Sequence, residues 1–202
     1  MGKLLIDSYE DFVGFPSIIG IDECGYGAGA GPLVMAAVDL PKGFHNELIR
    51  DSKKLTHEKR VLAKELIIAN AVKYQVSSAS VKYINKYGIK SAIQLCLSEL
   101  TTTFKDSFIL MDGIIWYGEE THPHTCIAKG DDVYSCIAAA SILAKVARDD
   151  YMVKLNDHCP GYGFNDNKGY LTGSHRKSLL EIGVSDYHRT QYVNTWLKKQ
   201  NV

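Results

Sequence analysis

Apolar residues fall along the chain in short runs separated by polar or glycine-rich stretches. Residues 16–23 and 32–40 are rich in aliphatic side chains and lack a clean apolar/polar alternation, which predicts two strands covered on both faces. The glycine-dense stretch 25–31 between them predicts a turn. Residues 74–79 alternate and predict a third strand, and the short apolar runs 108–111 and 125–128 predict two more. Thr56, a good N-cap, with Glu58 in the first turn predicts a helix running to about residue 71. Ile89, Ala92, Ile93, Cys96, Leu97 and Leu100 recur at three- and four-residue spacing, the signature of an amphipathic helix packed on a sheet. Residues 132–155 predict one long helix, capped by Asp132, in which Ala138, Ala139 and Ala140 allow close approach to a neighbour. Beyond Pro160 the chain turns rich in Gly, Tyr and Lys, then predicts two shorter helices at 175–181 and 190–199. Strands first and helices interleaved later predict an α/β or α+β domain with a mixed sheet.

Composition narrows the class. With 202 residues, 46% hydrophobic and 23% charged, the chain can bury most of its apolar surface without disulfide or metal staples. Its five cysteines are odd in number and lack a CxxC spacing, so buried free thiols are expected. No apolar run is long enough to cross a bilayer, and Asp7, Glu10 and Asp11 interrupt the first fifteen residues where a signal peptide needs an apolar core. These features predict a cytoplasmic chain that makes no membrane contact. Its formal net charge of +0 points to no class of partner, but the distribution is uneven. Successive quarters carry about −4, +5, −4 and +3. A metal-dependent enzyme acting on a polyanion needs an acidic pocket beside a basic track, although solvated helices can carry such a pattern for no functional reason.

The carboxylates sharpen the picture. Asp22 and Glu23 close an otherwise apolar strand, where buried acids are costly without a compensating cation. Neighbours on a regular strand point to opposite faces, so both can serve one site only where the strand ends or bulges. Asp112 likewise ends a short apolar run before Gly113, and Asp131 follows the run that ends at Ala128. Any one of these acids alone reads better as a turn or cap. Three strand ends delivering carboxylates together suggest a hard-cation site of oxygen ligands, with Mg²⁺ or Mn²⁺ the expected ion. A dinucleotide fingerprint is disfavoured, because a strand rather than a helix follows residues 25–31. His122 and His124 form an HxH, but no partner cluster follows and an exposed loop is expected.

Several ordered blocks together resemble ribonuclease HII. GIDECGYGAGAGPLVMAAV at 20–38 is similar to that family's opening strand–turn–strand, GIDEAGRGxxxGPxVxAAV. DSKKL at 51–55, MDG at 111–113, KGD at 129–131, AAASILAKVARD at 138–149, and GYGF at 161–164 with KGYLT at 168–172 follow in the family's order. The resemblance covers roughly residues 18–192. It implies an RNase H-like fold, a mixed five-stranded sheet flanked by helices with a C-terminal helical appendage, in one domain whose α/β core spans about 1–155 and whose appendage spans about 156–202. It also implies hydrolysis of the RNA strand of RNA–DNA hybrids and incision at ribonucleotides embedded in duplex DNA, by a monomer using two divalent ions, leaving 3′-hydroxyl and 5′-phosphate ends. The carboxylates carried over are Asp22, Glu23, Asp112 and Asp131, with Asp22 the expected bridge between the ions. Gly25, Tyr26 and Gly27 occupy the position that reads the ribose 2′-OH, and Tyr170 the position that stacks on the sugar. Ser52, Lys53, Lys54 and Lys168 become candidates for phosphate contacts, while Lys145 and Arg148 read better as structural. Tyr26 stands where the family has Arg, which removes a cation that grips phosphate. Asn167 replaces a His and Leu171 a Gly. The alternatives are a nuclease of the same fold with another substrate preference, and a catalytically silent hybrid-binding protein.

Overall fold

The computed structural model describes residues 5–199. Five strands, β1 (Ile18–Cys24), β2 (Leu33–Asp39), β3 (Lys73–Ala79), β4 (Phe108–Asp112) and β5 (His124–Ile127), form one sheet in the order β3-β2-β1-β4-β5. β1 pairs antiparallel with β2 and β2 with β3, while β4 runs parallel to both β1 and β5. β2 is buried at every position, which explains its lack of alternation. The helices are α1 (Ser8–Asp11), α2 (His57–Asn70), α3 (Val81–Thr103), α4 (Ser135–His158), α5 (Phe164–Asn167), α6 (Gly173–Ile182) and α7 (Thr190–Lys198).

Both faces of the sheet are covered. Val34, Ala36 and Val38 of β2 pack with α2 and α4, while Ile19, Ile21, Met35 and Ile109 pack with Ala92, Ile93, Cys96 and Leu97 of α3. α4 lies almost against β1: a Cβ at Gly20 would collide with the backbone of Cys136 and Ile137. The alanine run at 138–140 permits that approach, and all three side chains are fully buried. Among the described residues no helix is long and apolar enough to cross a membrane. All five cysteines are free, three of them buried.

Two helix boundaries differ from the sequence pattern. α4 starts at Ser135 and its N-cap is Tyr134, with no side-chain cap bond, so Asp132 does not cap it. Asp132 instead closes a 3₁₀ turn, Gly130–Asp132, and its carboxylate is hydrogen-bonded by Lys54 Nζ. α3 begins eight residues before the predicted amphipathic stretch, capped by the Ser80 hydroxyl, and breaks at Gly88 with φ +84°. Its extra turns are also tied to a distant segment: Asn85 Nδ2 donates to the His188 carbonyl at 2.9 Å, and the Thr190 amide donates to Asn85 Oδ1 at 2.9 Å.

The C-terminal appendage packs on the second half of α4 through Met152, Leu155, Tyr162, Phe164, Leu179, Val193 and Trp196. At its centre two fully buried imidazoles meet. His175 Nδ1–H donates to the Tyr170 carbonyl (2.9 Å), and the Ser185 amide donates to His188 Nδ1 (3.0 Å). That leaves His188 Nε2–H to donate to His175 Nε2 at 3.0 Å. Burial, then the neighbouring His175, lowers the His188 pKa to about 4. Because the unfolded chain takes up this proton near 6.5 and the folded chain does not, the contribution to stability is complete above about pH 6.5 and shrinks as pH falls toward 4. We expect an NMR titration to find the His188 imidazole neutral at pH 5.5. A midpoint near 6.5 would show that the pair is open in solution.

Candidate active site

β1 and β4 pair only as far as Ile21 and Met111, while on its other edge β4 stays paired with β5 through Asp112 and Ile127. The sheet therefore opens where β1 and β4 part, at the carboxyl ends of two parallel strands, the place where α/β sheets bind ligands. A cleft of about 420 Å³ lies there, with Asp22, Glu23 and Asp112 on its walls beside Ser52, Lys53, Ser141, Lys145 and Tyr170. Asp22 and Glu23 stay in regular register with Ala36 and Met35, so no bulge turns them to one side. They reach one site because the neighbouring strand is absent at their level: Asp22 leans toward α4 and Glu23 looks across the gap toward Asp112.

Asp22 and Asp112 are each held by hydrogen bonds. The Glu23 amide donates to Asp22 Oδ1 (2.7 Å), and the Ser141 hydroxyl of α4 also serves Asp22. Lys129 adopts a left-handed φ of +56°, which aims the next amide, Gly130 N–H, at Asp112 Oδ1 (2.7 Å). Asp131, on the same 3₁₀ turn, is buried, and Lys53 Nζ stands 3.9 Å from its Oδ2. Asp51 orients that lysine's segment by accepting the Lys53 amide at 2.9 Å.

These acids are short of compensation. Burial, with Glu23 and Asp112 adding like charge, pushes Asp22 well above the usual carboxylate range. Burial and Asp112 also raise Glu23, and burial and Asp112 raise Asp131. Burial opposes the Lys53 ammonium, yet Asp131, Asp51, Asp22 and Asp112 together raise its pKa. A set of hard oxygen donors, buried and mutually repelling, fits divalent cations in its chemistry. Among the described residues no three His, Cys, Asp or Glu side chains are grouped closely enough to hold an ion; Asp22, Glu23 and Asp112 line the cleft, while Asp131 is not among its lining residues and is tied to it through Lys53. The HxH is no metal site: His124 opens β5, stacks on Trp116 with ring centroids 4.2 Å apart, and bonds the His122 carbonyl.

The remaining predicted residues divide. Gly25, Tyr26, Gly27, Ser52, Lys53 and Tyr170 line the cleft. Lys54 does not; it is directed at Asp51 and Asp132. Lys168 does not either, since its ammonium bonds the Asn165 carbonyl and its own carbonyl is taken by Arg148. Ser141 and Lys145 line the cleft and were missed. The available signal was the polar row Ser141, Lys145 and Asp149 at i, i+4 spacing on an otherwise alanine-rich helix. Lys145 Nζ bonds Asp149 Oδ1 at 2.7 Å, so its structural reading holds while it also faces the cleft.

A family profile described as Ribonuclease HII matches residues 19–195. The chain belongs to the ribonuclease HII family. It is 41% identical over 175 residues to the ribonuclease HII of Bacteroides thetaiotaomicron, covering 86% of this chain and 88% of that one. The fold is similar to RNase HII in its PCNA complex from Archaeoglobus fulgidus, with TM-score 0.72, 24% identity and coverage of 87% and 94%. It is also similar to Bst-RNase HIII in complex with Mn²⁺, with TM-score 0.67, 18% identity and coverage of 95% and 72%. As a ribonuclease HII the chain is a hydrolase, an endoribonuclease of RNA–DNA hybrids.

Within that family frame the substituted positions have structural explanations. Asn167 is buried and shapes the turn before Tyr170, donating to the Tyr162 carbonyl (2.6 Å) and accepting from the Gly169 amide (2.7 Å). Leu171 packs directly over Gly29, where a Cβ would strike it. Tyr26 leaves its side chain 46% exposed, while its carbonyl accepts from Arg189 Nη1 (2.9 Å) and the Tyr192 hydroxyl (3.1 Å).

Because folding raises the Asp22 pKa, ionising it costs stability; the cost is full above the folded value, shrinks as pH falls below it and is gone only below the unfolded value near 3.8. Asp22→Asn removes it. In buffer free of divalent ions we expect this variant to melt above the wild type, by about 2–4 °C for each ~1 kcal/mol relieved, with a larger gain at pH 8 than at pH 5. A gain independent of pH would mean that repulsion at Asp22 is not the cause.

Proposed function

We propose that this cleft cuts the RNA strand of RNA–DNA hybrids and incises at single ribonucleotides embedded in duplex DNA, with Asp22, Glu23, Asp112 and Asp131 as the catalytic carboxylates. The observation that carries the reading is the gathering of Asp22, buried, with Glu23 and Asp112, partly buried, where β1 and β4 separate, with Lys53 in the same cleft and 3.9 Å from Asp131. The acids would hold two divalent cations, Mg²⁺ or Mn²⁺. Such ions, when bound, supply a Lewis acid for the phosphate and lower the pKa of a bound water.

The chain's own groups do the rest. Gly130 N–H and Ser141 hold Asp112 and Asp22 in place, so no side chain has to reorganise as charge develops on the phosphate. Lys53 offers a positive group beside the acids that can pair with a phosphate oxygen when the strand enters. The backbone of Gly25, Tyr26 and Gly27 reads the ribose 2′-OH, the group that distinguishes RNA from DNA at one position. Tyr170, with the Arg148 guanidinium 5.3 Å from its ring centroid, presents a fixed aromatic face to the sugar. Hydrolysis in this arrangement leaves 3′-hydroxyl and 5′-phosphate ends. We read residues 156–202 as the appendage that completes a single catalytic domain, acting as a monomer.

The test is a gel of end-labelled DNA duplexes, one all-DNA, one with a single ribonucleotide and one with a hybrid segment, incubated with Mg²⁺, with Mn²⁺ and with chelator. Cutting is expected at the ribonucleotide and in the hybrid only, and only with metal. Cutting of the all-DNA duplex would point to another substrate, and binding without cutting to a silent hybrid-binding protein. Asp112→Asn is expected to lower cleavage by at least 100-fold while leaving hybrid binding within a fewfold, in line with the ~10²–10³ typical of losing one electrostatic group. Asp131→Asn should behave alike, whereas Asp132→Asn, which removes only the contact to Lys54, should stay near wild type. The reverse order would move the fourth ligand by one residue.

A further inference from the structure

The connection that follows Asp112 carries an apolar surface that the fold itself does not need. Gly113, at φ +109°, turns the chain out of β4, and Trp116 folds back to anchor the loop. Its ring stacks on His124, its Nε1–H donates to the Glu119 carbonyl (3.2 Å), and Gly118 has no side chain to obstruct the indole. With Trp116 anchored, Ile114 and Ile115 project into solvent, 79% and 52% exposed. They are not isolated. Tyr26, Ile93, Met111, Ile114, Ile115 and Tyr117 line a shallow depression that shares Glu23, Tyr26 and Asp112 with the catalytic cleft.

No lysine or arginine lines this depression, and its charged members are the two carboxylates. A phosphate has no partner there and two repulsive neighbours. A nucleic-acid strand, however, presents apolar sugar and base faces between its phosphates, and a nucleotide next to one held at Glu23 and Asp112 must lie against an adjoining surface. We infer that Tyr26, Ile114 and Ile115 form a shoulder that takes the sugar and base face of the nucleotide neighbouring the scissile phosphate. This rests on the reading of the cleft given above. The shoulder also accounts for the aromatic residue at position 26: a guanidinium would seek a phosphate, whereas a phenol ring continues the apolar wall formed by the two isoleucines. A basic group at its border is Lys90, whose ammonium lies 5.8 Å from the centroid of the Tyr117 ring.

The distinguishing property is the response to salt. Apolar contact with a sugar or base displaces no counterions, while a phosphate contact does. Hybrid binding is measured by fluorescence anisotropy, without divalent ions, at several salt concentrations, for the wild type, Ile114→Ser/Ile115→Ser, Tyr26→Ser and Lys53→Ala. All three serine substitutions are at exposed side chains, and thermal melting confirms that the variants fold. The double variant and Tyr26→Ser are each expected to weaken binding by about 10-fold, with a salt slope parallel to the wild type. Lys53→Ala is expected to flatten the slope by nearly one unit. Unchanged affinity in the serine variants overturns the shoulder, and so does a slope flattened as in Lys53→Ala, which would place phosphates there. Cleavage by the wild type on the same duplex separates the two readings. If the wild type cuts the hybrid and the serine variants bind normally, the shoulder alone falls. If the wild type neither binds nor cuts, both fall.

Discussion

Two guanidinium groups, Arg148 and Arg189, are buried to 0% exposure, and among the described residues neither has a carboxylate partner. An unpaired buried cation is expensive, and these two are tolerated because backbone carbonyls take their place. Arg148 donates to the carbonyls of Pro32, Ala30 and Lys168, and Arg189 to those of Gly31 and Tyr26. Four of these five carbonyls belong to the glycine loop and the proline that follows it. The loop is thus held from two sides, by the middle of α4 and by the segment just before α7. The guanidinium fork is needed for this, since a lysine could not span two or three carbonyls in fixed directions. Strain is visible only at Arg189, whose pKa falls to about 10 through burial and the proximity of Arg148, and whose Nη2 finds no partner.

Glycine at positions 25 and 31 follows from the same arrangement. Both have positive φ, and a Cβ at either would run into a neighbour, Arg148 at Gly25 and Met152 at Gly31. The loop contributes carbonyls to the arginines on its inner side and leaves its outer side to the cleft. Cations within and carboxylates without are separated by little more than the end of β1, where Cys24 feels both: burial raises its thiol pKa, Arg148 and Lys145 lower it, and Asp149 and Asp22 raise it again.

Much of this was legible in the sequence. The five strands emerge from runs of apolar residues, and the strand-end positions of Asp22, Glu23 and Asp112 from their place after those runs. The Thr56 cap was readable because its side chain acts on its own helix, accepting from the Lys59 amide. What was not legible depended on distant partners. The first turns of α3 have a local signal in the Ser80 cap, but the clamp of Asn85 on residues 188–190 has none. Asp132 looks like a helix cap until Lys54, 78 residues away, is seen to hold it. Lys168 matches a family block, but its neighbour Arg148 sets the backbone so that its ammonium bonds Asn165 rather than facing the cleft. Lys145 and Ser141 hid within an apparently structural helix because one face of α4 packs against β1 while the same row of residues extends into the gap beside it.

The double clamp on the glycine loop also dictates an order of assembly. The carbonyls of this loop are bonded by groups at positions 148 and 189, up to 163 residues further along the chain. A nascent chain that has made the whole sheet still lacks the partner for Tyr26 and Gly31. Contacts at such long sequence separation form late and slowly. The loop that lends Gly25, Tyr26 and Gly27 to the cleft is therefore fixed from both sides only once residue 189 is in place.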